Sequence, residues 1–192
     1  MRITLRTAIP LGLLIGAGLV AAAGASCAQE KSEKAVVELK TLLSQDVVRP
    51  GDLVKAAFVL NIQPGYHIND NAPADEFLFA TSVTLEDDPG AEIVEIYYPK
   101  GHRGRFAYSE AELVVYEGET VLGALIKVKD KAAPGPLKLK ATLSYQACNN
   151  VSCLPPKENA FEFALPVAKA GSPFHELHSE IFAKLPFGAL KK

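Results

Sequence analysis

From Pro136 to Tyr145 the chain reads PLKLKATLSY, an alternation with a period of two residues. Leu137, Leu139, Ala141, Leu143 and Tyr145 share one face of an extended strand, while Lys138, Lys140 and Thr142 share the other. The pattern recurs along the chain. VELKTLL sets Val37, Leu39, Thr41 and Leu43 against Glu38 and Lys40, and LVKAAFVLNI puts Val54, Ala56, Phe58, Leu60 and Ile62 on one face. FEFALPV repeats the theme with Phe161, Phe163, Leu165 and Val167, and TSVTLE, EIVEIYY, ELVVYE and TVLGALIKV are further strand candidates. Turn signals separate them: Arg49-Pro50-Gly51-Asp52, Pro64-Gly65, Asp88-Pro89-Gly90, Glu117-Gly118 and Pro134-Gly135-Pro136. About eight short strands, punctuated every ten to fifteen residues or so, predict an all-β fold, an antiparallel β-sandwich. Each sheet then has one face in the core and one in water, which accounts for the alternation.

The C-terminal stretch SPFHELHSEIFAKLP follows another rule. Ser172 reads as an N-cap, Pro173 as the first helical residue and Pro186 as the stop, with Phe174, Leu177, Ile181 and Leu185 on one stripe. A short C-terminal helix packed on the sandwich edge is expected. His175 and His178 lie three apart on it, without a carboxylate scheme around them, and read as solvent-side residues.

Arg2 and Arg6 precede the apolar, small-residue run AIPLGLLIGAGLVAAAGA, which polar QEKSEK follows. A cleaved export signal over residues 1–28 fits better than a membrane span. SCA before Gln29 fits a small-x-small cleavage site. Alternatively, GASC resembles a bacterial lipobox, with Gly24 where Leu is usual, and would make Cys27 a lipidated first residue and give a lipid anchor. Residues 29–35 then form a linker, 36–168 the β-domain and 169–192 the helical tail. Losing Arg2 and Arg6 takes the formal charge from −2 to about −4, and no long basic run favours nucleic acid as a partner. No Walker motif, dinucleotide glycine motif or His-Glu-x-x-His is present.

Export places the domain in an oxidising compartment, where the two remaining cysteines, Cys148 and Cys153, are expected to form a disulfide at least part of the time. They flank NNVS within LSYQACNNVSCLPP, with Cys148 ending one long strand and Cys153 starting the return towards FEFALPV. As a staple the bond is poor: a loop of about six residues is worth roughly 2 kcal/mol of chain entropy, against roughly 4.7 for about a hundred. A tight turn also strains the bond and eases its exchange. Spacing alone leaves two readings open, a redox pair and a local structural clip. Half of a zinc site is disfavoured, because there is no second cysteine pair and neither His67 nor His102 has ligand spacing. With no methionine beyond Met1, a Met-rich copper carrier is disfavoured too, and no metal or cofactor is expected. A thioredoxin-type enzyme lacks support, since there is neither a Cys-x-x-Cys motif nor a βαβ pattern.

YQACNNVSCLPP resembles the active-site segment of the DsbD N-terminal domain family of thiol:disulfide interchange proteins. PGYHIN and GRFAYSEAELVVYEGE resemble two further segments of that family, and the likeness runs from about Val36 to Val167. The resemblance implies an immunoglobulin-like antiparallel β-sandwich and a periplasmic thiol–disulfide oxidoreductase. Such a domain takes electrons from a membrane-embedded thiol reductase and gives them to periplasmic thioredoxin-like proteins. It implies Cys148 and Cys153 as the redox pair, with Cys153 exchanging and Cys148 resolving. Phe106, with Tyr108 beside it, would tip a shielding cap loop, and Tyr66 and His67 would lie near the pair. Three departures follow. The cysteines are one residue closer than in the best-known members. HRGR, His102 to Arg105, replaces the acidic residues before the cap aromatic. No multi-span membrane region or second thioredoxin-like domain follows the helix, so a separate donor is expected. Arg103 and Arg105 would lower a thiol pKa if they lay close to it; otherwise they are solvated loop charges. The alternative function is a non-enzymatic binding or interaction sandwich with a structural disulfide.

Overall fold

The computed structural model describes residues 35–187; residues 1–34, where the export signal and most of the linker are expected, and the last five residues lie outside it. In chain order the strands are β1 (Val37–Leu43), β2 (Leu53–Ile62), β3 (His67–Asn69), β4 (Ser82–Leu85), β5 (Ala91–Tyr97), β6 (His102–Gly104), β7 (Leu113–Tyr116), β8 (Glu119–Val128), β9 (Gly135–Tyr145), β10 (Ala147–Cys148) and β11 (Lys157–Val167). One short helix, α1 (Ser179–Phe182), follows. The strands form antiparallel sheets ordered β1-β2-β8-β5, β11-β9-β4 and β10-β3-β7-β6. The architecture is the immunoglobulin-like sandwich.

The first two sheets bury their apolar faces against one another. Phe58, Leu60, Leu122 and Ile126 come from the first, Leu139, Leu143 and Leu165 from the second, and all are fully buried in one cluster. Phe58 meets Phe161 and Phe163 of the opposite sheet edge-on, with centroids 5.4 and 5.8 Å apart. Each such burial contributes about 1.5–3 kcal/mol, and each aromatic pair about 0.5–1.5 more. The alternation of β9 is realised as expected: Lys138 and Lys140 are exposed, while Leu139, Ala141, Leu143 and Tyr145 are buried. Ile68, Tyr116 and Ala147 join the same core and seat the third sheet on it.

Four expectations are corrected. The strand count rises from about eight to eleven, because β3, β6 and β10 are two or three residues long and too short to show a period. Cys148 does not end the long strand. β9 stops at Tyr145, Gln146 turns the chain, and β10 leaves to pair with β3 in another sheet. The predicted helix shrinks to one turn, starting after His178, which adopts a left-handed φ of 52°. Ser172 to Leu177 do not coil because strand-like partners take their backbone groups. Asp46 N–H donates to His175 C=O, His175 N–H to the Asp46 carboxylate, and Leu177 N–H to Ser44 C=O.

The tail also packs elsewhere than on the edge. Phe182 and Leu185 cover Leu42, Ala57 and Val59 on the outer face of the first sheet, with Ile181 and Phe187 alongside. Gly123 in β8 makes room, since a Cβ there would stand 2.6 Å from the Phe187 ring. Phe174 and Leu177 of the expected stripe stay well exposed.

Candidate functional site

The third sheet brings distant segments to one end of the sandwich. β10 pairs with β3, placing Cys148 opposite His67, and β3 pairs with β7 through Ile68–Tyr116 and Asn69–Val115. β6 and β7 form a three-pair hairpin, closed at Gly104–Leu113, whose tip is residues 105–112. Directly opposed residues present their side chains on the same face of a sheet, so His67 and Cys148 share one.

The cysteines close a four-residue turn. Cys148 and Cys153 face each other as an antiparallel bridge and are joined by a disulfide of 2.03 Å, with Cα atoms 3.9 Å apart. The turn is locked by Asn149, as asparagine favours. Its N–H donates to Ser152 C=O, and its side-chain oxygen accepts from the N–H groups of Val151 and Ser152, all at 2.9 Å. Leu154 N–H then donates to Ala147 C=O at 2.8 Å. Cys148 is 0% exposed, whereas Cys153 is half-buried. The second cysteine of the pair is the more accessible residue.

The tip of the β6–β7 hairpin folds over this turn. Ala107 N–H donates to Asn150 C=O at 3.1 Å. The Phe106 ring stacks on His67, centroids 3.9 Å apart and planes 25° from parallel, and His67 Nε2 is 2.6 Å from the Tyr108 hydroxyl. Phe106 folds back against Gly104, where a Cβ would stand 2.6 Å from its ring. Phe106 and Tyr108 are half-buried, not core residues. Burial pushes the Tyr108 phenol up to about 12. It also holds the His67 imidazole below the usual histidine range, with Glu117 opposing and His102 adding to the effect. His67 is therefore neutral at pH 7 and Tyr108 protonated.

The structure thus assembles Cys148, Cys153, His67, Phe106 and Tyr108. Tyr66 is half-buried and packs on the main core. Arg103 and Arg105 are exposed and turn to Glu112 at 3.5 and 3.9 Å, which is the solvated-charge reading. His102 pairs with Glu117 at 3.3 Å, and exposed His175 pairs with Asp46 at 2.8 Å. Cys27 lies outside the described residues. Among those residues, no group of three or more His, Cys, Asp or Glu is placed to hold a metal ion.

Two contributors escaped the sequence reading. Gln146 braces the turn: its Nε2 donates to Leu154 C=O at 3.2 Å, and its Oε1 accepts from Phe79 N–H and Asn69 Nδ2 at 3.4 Å. Gly104 makes space for the folded-back Phe106, and a glycine two residues before the aromatic was the available signal. The cysteine turn also carries exposed apolar side chains, Val151 at 74% and Leu154 at 39%, and the nearby 75–79 segment adds Phe77 at 88%.

Residues 38–165 match the family described as "Thiol:disulfide interchange protein DsbD, N-terminal". No curated protein matches the chain. The N-terminal periplasmic domain of ScsB from Proteus mirabilis is 15% identical, with a TM-score of 0.51, over 81% of this chain and 57% of that one. The reduced DsbD N-terminal domain of Neisseria meningitidis is 21% identical, with a TM-score of 0.38, over 72% of this chain and 88% of that one. The complex of the DsbD and PilB N-terminal domains from the same organism gives 19% identity and a TM-score of 0.37, over 64% of this chain and 80% of that one. At these identities the likeness to ScsB speaks for the fold alone.

Proposed function

The chain belongs to the DsbD N-terminal family, and we propose that it relays reducing equivalents by thiol–disulfide exchange through Cys148 and Cys153. One observation carries this reading: the disulfide closes a four-residue turn, with its second cysteine half-buried beneath a loop held by few contacts. A bond placed there contributes little to the fold and lies within reach of a partner once the loop moves.

The exchange runs in two displacements. In the reduced domain the Cys153 thiolate attacks a sulfur of the partner's disulfide, forming a mixed disulfide and releasing one partner thiolate. The Cys148 thiolate then attacks Cys153 Sγ, restoring the internal disulfide and releasing the second partner thiolate. Two electrons leave this domain and reduce the partner, whose thiolates take up protons from water. The exposures of the two residues support these roles, since a docked partner reaches Cys153 before the fully buried Cys148. Phe106 and Tyr108 shield the pair until docking. In this reading a membrane-embedded thiol reductase recharges the domain, thioredoxin-like proteins accept from it, and the setting is the periplasm. The leader over residues 1–28 delivers it there, by cleavage or by lipidation of Cys27.

Trapping tests the relay. In periplasm, Cys148→Ser is expected to accumulate mixed disulfides through Cys153, resolvable by a reducing gel and identifiable by mass, and Cys153→Ser far fewer. No adduct from either variant would favour the inert sandwich instead.

A further inference from the structure

The exchange chemistry leaves one buried titratable group at the site without a part. His67 is 1% exposed. It meets the covering loop twice, through the stack with Phe106 and the 2.6 Å contact with Tyr108, and it stands opposite Cys148 on the β3–β10 ladder. Beyond these contacts the loop is tied to the cysteine turn by the backbone bond from Ala107 to Asn150. The loop thus closes largely onto an imidazole.

We propose that His67 is the catch on which the 105–109 loop closes over the disulfide, so that proton uptake by the imidazole opens the loop and proton loss shuts it. This deepens the shielded-disulfide reading above and rests on it. Closure strips water from the imidazole, and burial disfavours its charged form. The groups around it offer little compensation. On the loop, Tyr108 stays protonated, with its pKa pushed to about 12. On β10, Cys148 is held in the disulfide and does not titrate. Just past β7, Glu117 favours the charged imidazole, but it also pairs with His102, which opposes that charge. Just past β3, burial raises the Asp70 carboxyl, with Ala72 N–H opposing.

With the loop open the imidazole returns to water and to the ordinary range near about 6.5. Its pKa is thus lower in the closed state than in the open one. The closed state has its full advantage above the open-state value and loses it as pH falls from there towards the closed-state value. Acid unlatches the loop, and neutral pH fastens it.

The test follows reduction of the oxidised protein by a water-soluble trialkylphosphine between pH 5 and pH 8. The phosphine becomes its oxide, taking oxygen from water, as the disulfide yields two thiols. Dividing the wild-type rate by that of His67→Gln at each pH cancels the ionisation of the reductant. That ratio is expected to rise severalfold from pH 8 to pH 5, at most about thirtyfold if the open-state pKa is ordinary. A ratio constant across the range overturns the catch. Should His67→Gln fail to fold, Phe106→Ala replaces it as the denominator, with the same rise expected and the same flat result contradicting it. The phosphine needs no docking partner, so the two readings fail separately. A flat ratio with partner adducts intact removes the catch and spares the relay. A rising ratio without adducts removes the relay and keeps the catch.

Discussion

The β9–β11 ladder and the β6–β7 hairpin are both antiparallel ribbons, yet they are held by different forces. The first runs for eleven residue pairs and buries Leu139, Leu143 and Leu165 completely against the other sheet. The second has three pairs, leaves His102 and Arg103 exposed, and secures its tip by an aromatic stack, a side-chain hydrogen bond and a backbone bond. Hydrophobic burial of the first kind is given up only when the domain unfolds. A few contacts of the second kind open locally at much lower free energy. The disulfide spans the turn that joins β10 to the β11 side and lies under the weaker ribbon. The fold thus sets Cys148 on the two-pair β3–β10 ladder, whose Ile68 and Ala147 are seated in the core, and folds the tip of the hairpin over the turn that follows it.

The contrast predicts the largest effect in the sandwich. Phe58→Ala removes a fully buried ring from between Phe161 and Phe163 and is expected to cost about 3–5 kcal/mol in chemical denaturation. The rate at which the folded fraction is reduced should stay unchanged. A loss below about 1 kcal/mol would erase the distinction between the two ribbons. Next in size, opening the disulfide should lower stability by no more than about 2 kcal/mol, because the loop is so short. Denaturation of oxidised and reduced protein in parallel measures it, and collapse of the reduced domain would make the bond a staple.

Phe106→Ala should then cost under about 1 kcal/mol of stability, its ring being only half-buried. It should nevertheless speed reduction of the disulfide severalfold at pH 8. Gly104→Ala is expected to do the same more weakly, by pushing the Phe106 ring away. The smallest effect is at the tail. Backbone and side-chain hydrogen bonds from His175 lower the Asp46 carboxyl below its usual range. A lowered folded-state pKa gives support that is present above the ordinary carboxylate range and lost as pH falls through the lowered value. Because Asp46 is exposed to solvent screening, Asp46→Asn should barely move the melting temperature at pH 7.

Residues reveal themselves in a sequence when burial imposes a period. β1 and β2 have the predicted limits because seven- and ten-residue strands with one face in the main core must alternate. Of the third sheet only β7 was legible, within ELVVYE: β3, β6 and β10 are two or three residues long, and the β3–β10 and β3–β7 pairings join segments far apart in sequence. The cysteine turn was legible from its asparagines and its spacing. The junction at Gln146 was not, since a glutamine side chain that bonds three separate segments leaves no local mark. The tail misled for a different reason. Its helical stripe is real in sequence, but Ser44 and Asp46 compete for its backbone groups and win. The family likeness set Tyr66 and His67 together near the pair, whereas the Tyr66 ring packs on the main core.

The most direct measurement is the reduction potential of the Cys148–Cys153 pair, by equilibration in glutathione and dithiothreitol buffers. A disulfide that works by exchange should come to equilibrium above about −300 mV, where thiol partners of the compartment can turn it over. A potential at or below that value, or a bond untouched by mild reductant in wild type and Phe106→Ala alike, would contradict the relay and leave a β-sandwich with an inert clip.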